Sequence, residues 1–173
     1  MKAIDLIRFA LEACDKATLS LIEDMRDAAT TFPTPRGGNH PLWVLGHITF
    51  VEGRLPQILL GEKNPVEHWA PLFAAGTEPK ATAREYPPFD EIVRTYRTLR
   101  ERTMGLLAEF GEQGLDRPTK MPLRGLEQAM GTAGQTFLII ALHQMSHRGQ
   151  VADARRAAGR EPVFTPGDPA LVE

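Results

Sequence analysis

The chain has 173 residues, with 20 Lys and Arg, 22 Asp and Glu, and a formal net charge of −2. A chain of this length buries about 70% of its unfolded surface around one core, so a single domain over residues 1–173 is expected. The basic residues are scattered and form no stripe with aromatic side chains, which argues against a nucleic-acid partner. The one cysteine, Cys14, excludes an internal disulfide, and no oxidising compartment is required.

The first residues lack the pattern of an export signal. Asp5 and Arg8 interrupt the stretch in which a signal peptide needs an unbroken apolar run. No window of the sequence approaches the roughly 18 uncharged apolar residues of a membrane-spanning helix. We therefore expect a cytoplasmic protein without a membrane partner.

An amphipathic helix is predicted at the start of the chain. Its inward positions recur at spacings of three and four residues, with charged residues between them: Ile4, Ile7, Leu11, Cys14, Thr18, Leu21 and Met25. The helix should end before the loop at residues 32–38, whose prolines and glycines do not continue a helix. Cys14 is interpreted as a buried core residue and not as a nucleophile.

A second helix is predicted from near His40 to Gly61. Asn39 is a favourable N-cap, and Pro41 is tolerated in the first turn because its missing N–H would have had no helical partner. Gly61 is a typical residue at the C-terminal end of a helix.

Two further features of the second helix concern its inward face. Trp43 and His47 point towards the bundle interior, where Trp43 fits either a core position or the wall of a substrate pocket. Gly46 and Gly53 each cost about 1 kcal/mol relative to alanine inside a helix. The close approach of a neighbouring helix or of an ion would account for them, and chance surface glycine is the alternative.

The connection at residues 62–88 is long, irregular and rich in proline. Its aromatic residues, among them Trp69, Phe73 and Tyr86, are too many for a solvated linker. The connection is therefore expected to pack over the bundle and to border the mouth of a site. His68 in this segment is a candidate fourth metal ligand, and a surface or packing histidine is the alternative.

The second half of the chain predicts two more helices. One should begin at Phe89 and close at Gly111, followed by an irregular crossover with a short helical turn near residues 126–130. The last helix should run from Thr132 to Gly159, before an irregular tail at residues 160–173. Four apolar-striped helices with long second and third connections predict an all-α fold, a four-helix bundle.

The strongest chemical signal is the pair His143 and His147. Histidines four residues apart on a helix lie about 5–6 Å apart at Cβ, so both imidazoles can reach one ion at about 2.0–2.1 Å. His47 on a facing helix supplies the third ligand that a divalent site needs. Gln144 excludes the His-Glu-x-x-His pattern of zinc proteases. The spacing also arises by chance, but an unpaired imidazole on an apolar face is unfavourable to bury.

Two short motifs resemble those of the DinB/YfiT-like family: Asn39-x-x-x-Trp43-x-x-Gly46-His47 early in the chain, and His143-x-x-x-His147-Arg148-Gly149-Gln150 late in it. The resemblance implies an up-down-down-up-type four-helix bundle with a metal site at His47, His143 and His147. Some members have glutamate at the first position of the late pair, where this chain has histidine. Relatives include transferases and an isomerase that use low-molecular-weight thiols, and the resemblance also implies a homodimer.

Three neutral imidazoles leave the charge of a divalent ion uncompensated, which favours an anionic fourth ligand, either thiolate or hydroxide. Zinc and nickel both suit imidazole ligands. We therefore expect a metal-dependent S-transferase that joins a low-molecular-weight thiol to a small-molecule substrate. A metal-dependent hydrolase and a non-catalytic, stress-related metal-binding homodimer are the alternatives. Glu52 and Gln150 are the candidate catalytic helpers.

Overall fold

The computed structural model describes residues 1–27, 31 and 38–161. Four long helices form a bundle: α1 (Ala3–Glu23), α2 (Pro41–Leu60), α4 (Phe89–Gly114) and α5 (Ala133–Ala157). A short helix, α3 (Ala70–Phe73), lies in the connection between α2 and α4, with 3₁₀ turns at Glu67–Trp69 and Ala83–Glu85. These ranges contain no β-strand, which confirms the all-α prediction, and none of their helices has the length and hydropathy of a membrane span.

Two apolar clusters mark the two ends of the bundle. The upper cluster includes residues late in α1 and α5 and early in α2 and α4, such as Ile22, Val151, Trp43 and Ile92. The lower cluster includes residues early in α1 and α5 and late in α2 and α4, such as Leu11, Phe137, Leu59 and Leu107. Helices α1 and α5 therefore run in one direction, and α2 and α4 run in the opposite direction. The closest packed pairs are α1 with α5, and α2 with both α4 and α5.

The connection between α2 and α4 packs over the upper cluster, as its aromatic residues predicted. Trp69, Phe73 and Tyr86 are buried in that cluster, and Phe73 is fully enclosed. A Cβ atom built on Gly46 would lie less than 3.0 Å from three carbon atoms of the Phe73 ring. The close approach at Gly46 therefore comes from this connection and not from a neighbouring long helix.

The start of α2 differs from its prediction. His40, and not Asn39, is the N-cap, because its Nδ1 atom accepts a hydrogen bond from the backbone N–H of Trp43 (3.0 Å). A ring nitrogen thus takes the place of the carboxylate or amide oxygen usual at this position. The Nε2–H of His40 donates to the carbonyl oxygen of Lys80 (2.9 Å), which ties the cap to the connection. Gly61 ends α2 in the left-handed conformation with φ 77°, as predicted.

The helix boundaries in the second half agree with the prediction except at Gly111. Helix α4 begins at Phe89 but continues beyond Gly111, where φ is 61° and the helix kinks, to Gly114. A glycine can take this conformation without ending the helix, because the next turn resumes the hydrogen bonding. Thr132 caps α5 through the backbone N–H of Gln135. The predicted tail at residues 160–173 lies outside the described residues from 162 onwards.

Candidate metal centre

Three histidine side chains from two helices meet at the upper end of the bundle. The Nε2 atom of His143 on α5 lies 3.1 Å from the Nε2 atom of His47 on α2. It also lies 3.2 Å from the Nε2 atom of His147, one turn further along α5. One ligand atom from each of the three residues lies within 4.8 Å of the other two. The three residues predicted from the sequence as metal ligands therefore converge on a common point.

The second ring nitrogens of two histidines are held by acceptors. The Nδ1–H of His47 donates to the carbonyl oxygen of Phe73 (2.6 Å), and the Nδ1–H of His147 donates to the Oε1 atom of Gln150 (2.8 Å). Asn39 donates from its Nδ2 atom to the same oxygen (3.1 Å), which fixes the orientation of the Gln150 amide. In a neutral imidazole only one nitrogen carries a proton, so the Nε2 atoms of His47 and His147 present lone pairs.

This arrangement of lone pairs is incomplete without a cation. His143 in its neutral form can donate from Nε2 to one neighbour only, so at least one of the two short nitrogen–nitrogen contacts would bring two lone pairs together. Burial lowers the pKa of His47 to about 4. Burial, with the neighbouring histidines, lowers the pKa of His143 to about 3. The cluster is therefore neutral at physiological pH, which is the form that binds metal ions.

The spacing of the nitrogens also fits a metal ion. Two nitrogens bound to one tetrahedral zinc ion at about 2.05 Å lie about 3.3 Å from each other. The contacts of 3.1 and 3.2 Å are close to that value. Acceptors on the second ring nitrogens are the usual way in which proteins orient histidine ligands. The donor set, its protonation and its spacing all fit a divalent metal ion.

Trp43 forms one wall of the cluster. Its ring stacks on the ring of His47, with centroids 4.6 Å apart and an interplanar angle of 10°. The indole N–H donates to the hydroxyl of Thr77 (3.0 Å), so the connection after α2 holds the ring in place. Trp43 is buried and belongs to the upper cluster, so it serves both as a core residue and as a wall of the site.

Of the remaining predicted site residues, one lies at the histidine cluster and two lie away from it. Gln150, predicted as a catalytic helper, lies beside the cluster and accepts a hydrogen bond from the second ring nitrogen of His147. Glu52 is buried further along α2 and faces Arg100, with 3.0 Å between Oε2 and the guanidinium Nη2. His68 is exposed and packs edge-on against Trp69, outside the histidine cluster.

Two contributors to the site are not apparent from sequence patterns. The carbonyl oxygen of Phe73 orients His47, but a backbone carbonyl carries no signature of its own in a sequence. Asn39 orients Gln150, a role that the prediction of a helix cap does not include. Its place in the early motif, eight residues before His47, was the signal that could have indicated a role in the site.

The helical bundle and its three-histidine cluster fit a metal-binding protein. The family model of the DinB superfamily matches residues 10–151, which include all three histidines. The chain belongs to the DinB superfamily, and the resemblance seen in its motifs is confirmed. A comparison with curated proteins found no match.

Proposed function

We propose that His47, His143 and His147 bind a divalent metal ion, zinc or nickel, and that the protein is a low-molecular-weight-thiol S-transferase acting on a small electrophilic substrate. The observation that carries this proposal is the convergence of three neutral Nε2 atoms at contacts of 3.1 and 3.2 Å. When bound, a divalent ion supplies a Lewis acid that lowers the pKa of a thiol into the neutral range.

The residues of the chain prepare the site for that chemistry. The Phe73 carbonyl and the Gln150 amide hold the ring protons of their histidines away from the centre, so that the lone pairs face it. Trp43 covers one side of His47 and limits the access of water there. Because all three ligands are neutral, the charge of the ion remains available to stabilise a thiolate.

The side chains around the cluster favour a thiol over a water nucleophile. Within the described ranges, the group of metal-ligating side chains contains no carboxylate. The buried carboxylate of Glu52 faces Arg100 and not the histidines. Metal-dependent hydrolysis of amides commonly uses a carboxylate as general base, whereas an ionised thiol is already a strong nucleophile. Because the ligand group of the described residues contains no such base, we take a thiolate, and not metal-bound water, as the nucleophile.

A cleft at Asn39, the residue that donates to Gln150, offers space for a polar co-substrate. Its volume is about 490 Å³, and Asn39, His40, Glu78 and Lys80 line part of it. The two charged side chains have opposite signs, which suits a thiol that carries both carboxylate and ammonium groups.

The test begins with metal content. The protein is stripped with a chelator, titrated with zinc or nickel, and assayed with a panel of electrophiles in the presence and absence of a low-molecular-weight thiol. We expect one ion per chain and turnover that depends on the thiol and is lost in His47→Ala. His68→Ala, which removes an exposed histidine outside the cluster, is the matched control and should retain both properties.

Two other outcomes would overturn the transferase. Thiol-independent cleavage of esters or amides would identify a hydrolase. Stoichiometric metal binding without turnover of any electrophile would identify a non-catalytic binding protein. Failure of both metals to bind would overturn the metal centre itself.

We also propose that two copies of the chain associate through an apolar ridge on α1 and α5. Large apolar side chains are exposed at helical spacing along both helices: Leu6, Phe9, Leu138, Leu142 and Met145. Because α1 and α5 run in the same direction, Leu6 and Leu138 line one cleft, so exposed apolar side chains of the two helices lie side by side there. An exposed apolar ridge of this kind is typical of a protein interface.

A further inference from the structure

A buried arginine connects the two helices that carry the histidines. Arg100 on α4 is 8% exposed, and its Nη2 atom contacts three acceptors. These are Oε2 of Glu52 on α2 (3.0 Å), Oε1 of Gln144 on α5 (2.7 Å) and the hydroxyl of Tyr96 on α4 itself (2.8 Å). Glu52 follows His47 by five residues, and Gln144 directly follows His143. One guanidinium therefore links the His47 helix to the His143 helix.

Through Tyr96, the same network extends to α1, the remaining long helix. The Nε2–H of Gln144 donates to the Tyr96 hydroxyl (2.9 Å), so both ends of the Gln144 amide are bound to α4. The Tyr96 hydroxyl donates in turn to Oδ1 of Asp15 on α1 (2.5 Å). All four long helices thus meet in one polar network inside the bundle.

Stability alone does not account for this network. Among the described residues, the Nε and Nη1 atoms of Arg100 and the Oε1 atom of Glu52 are buried without a hydrogen-bond partner. A buried ion pair with unsatisfied atoms is often no more stabilising than apolar side chains of similar volume. What it does provide, and apolar side chains do not, is a fixed direction for each group that it binds.

Fixing Gln144 fixes the direction of both histidines on α5. Each residue of a helix is rotated by about 100° from the one before it, so His143 lies about 100° to one side of Gln144. His147, three residues after Gln144, is rotated by about 300°, which places it about 60° to that same side. The two rings therefore project within about 40° of each other, and their common direction follows from the Gln144 side chain.

A metal site tolerates only a small rotation of the helices that carry its ligands about their own axes. Side chains extend about 5–6 Å from the helix axis, so a rotation of about 10° moves their ends by roughly 1 Å. Metal–ligand distances must be correct to about 0.2 Å. A helix rotation that apolar packing would accept is therefore enough to separate His47 from the pair on α5.

The geometry points to Arg100, with Glu52 and Gln144, as a set of positioning residues that orients α2 and α5 so that the three histidines meet. This role rests on the proposed metal centre. It assigns to Glu52 an action through Arg100 on the placement of His47, and not direct contact with substrate.

The test separates positioning from stability by removing both charges together. In the variant E52M/R100M, the ion pair is replaced by apolar side chains, and the free energy of unfolding of the metal-free protein should be similar to that of the unsubstituted chain. Its zinc affinity, measured by competition with a chromophoric chelator, should fall about 10- to 100-fold, the range typical of residues that orient metal ligands. Arg97→Met, the same change at an exposed position one turn earlier on α4, should alter neither quantity.

A second variant keeps the inference testable if the double variant does not fold. Gln144→Leu removes the amide that Arg100 holds but no charge, and it should also lower zinc affinity at least 10-fold. Gln144→Glu should lower zinc affinity less than Gln144→Leu does, because its carboxylate accepts from the same guanidinium but cannot donate to the Tyr96 hydroxyl.

Three results distinguish failure of the proposed metal centre from failure of the positioning role. If the unsubstituted protein binds neither zinc nor nickel, the proposed metal centre fails and the positioning role fails with it. If it binds zinc and a folded E52M/R100M or Gln144→Leu variant binds within twofold of it, the metal centre stands and the positioning role is overturned. If affinity falls only in proportion to unfolding of the metal-free variants, the network is structural, which also overturns the inference.

Discussion

Gly46→Ala tests how the connection after α2 holds the histidine cluster. A Cβ atom at this position would approach three atoms of the Phe73 ring to less than 3.0 Å, whereas ordinary contacts lie at 3.4–4 Å. The Phe73 ring has little room to yield, since it is fully buried and stacks on Tyr86 with centroids 5.3 Å apart. The ring and its backbone must therefore move, and the Phe73 carbonyl that orients His47 moves with them.

Two opposing contributions set the change in the free energy of unfolding caused by Gly46→Ala. Overpacking of a filled core costs about 1–3 kcal/mol. Alanine regains about 1 kcal/mol over glycine inside a helix. The net loss should be at most about 2 kcal/mol, which for a chain of this size lowers Tm by up to roughly 8 °C. Zinc affinity should fall as well, by about 10-fold or more, because His47 loses the acceptor that fixes its ring.

The assay is thermal unfolding of the chelator-treated protein together with a zinc competition titration. Gly105→Ala is the matched control, because Gly105 lies inside α4 with no atom within 4 Å of a built Cβ. That variant should raise Tm by roughly 2–4 °C and leave zinc affinity unchanged. A Gly46→Ala protein as stable as Gly105→Ala, with zinc affinity like that of the unsubstituted chain, would refute the reasoning.

Three further predictions concern the ligands and the ridge. Gln150→Ala should weaken zinc binding about 10- to 100-fold, because His147 loses the acceptor that orients its ring. Gln113→Ala, at an exposed position, should not weaken it. Equal effects of the two substitutions would contradict the orienting role of Gln150. Because burial holds the pKa of His47 at about 4, below its ordinary value of 6.5, the unfolded chain binds more protons between these values. Urea unfolding of the metal-free protein should therefore show stability falling as the pH is lowered from 7 to 5, less steeply in His47→Gln. Phe9→Lys, at a side chain 69% exposed, should convert a dimer to a monomer in light scattering, whereas Met121→Lys should not; a monomeric unsubstituted protein would contradict the ridge.

Most of the helical framework could be predicted from local patterns. The apolar spacing of α1, the proline near the start of α2 and the glycine at its end each act within a few residues, so they indicate helix positions without knowledge of the fold. The exceptions were also local. His40 displaced Asn39 as the cap because a ring nitrogen happened to reach the N–H of Trp43, and Gly111 kinked α4 without ending it.

The candidate metal centre could be predicted in part. The spacing of His143 and His147 places both rings on one face of a helix whatever surrounds it. Its direction relative to His47 depends on how α2 and α5 are rotated, and that rotation is set by contacts between residues far apart in the sequence. The link from Glu52 through Arg100 to Gln144 is of this kind, and no short motif encodes it.

The sequence by itself determined that the chain is helical, which faces of the helices are apolar and which imidazoles are available as ligands, because these properties depend on residue type and on spacing within one or two turns. The tertiary structure decided which nitrogen of each ring faces inward. That choice depends on acceptors brought from elsewhere in the chain, such as the carbonyl of Phe73, 26 residues beyond His47. A ring has two nitrogens of similar basicity, and only its surroundings select the one that remains free to bind a metal ion.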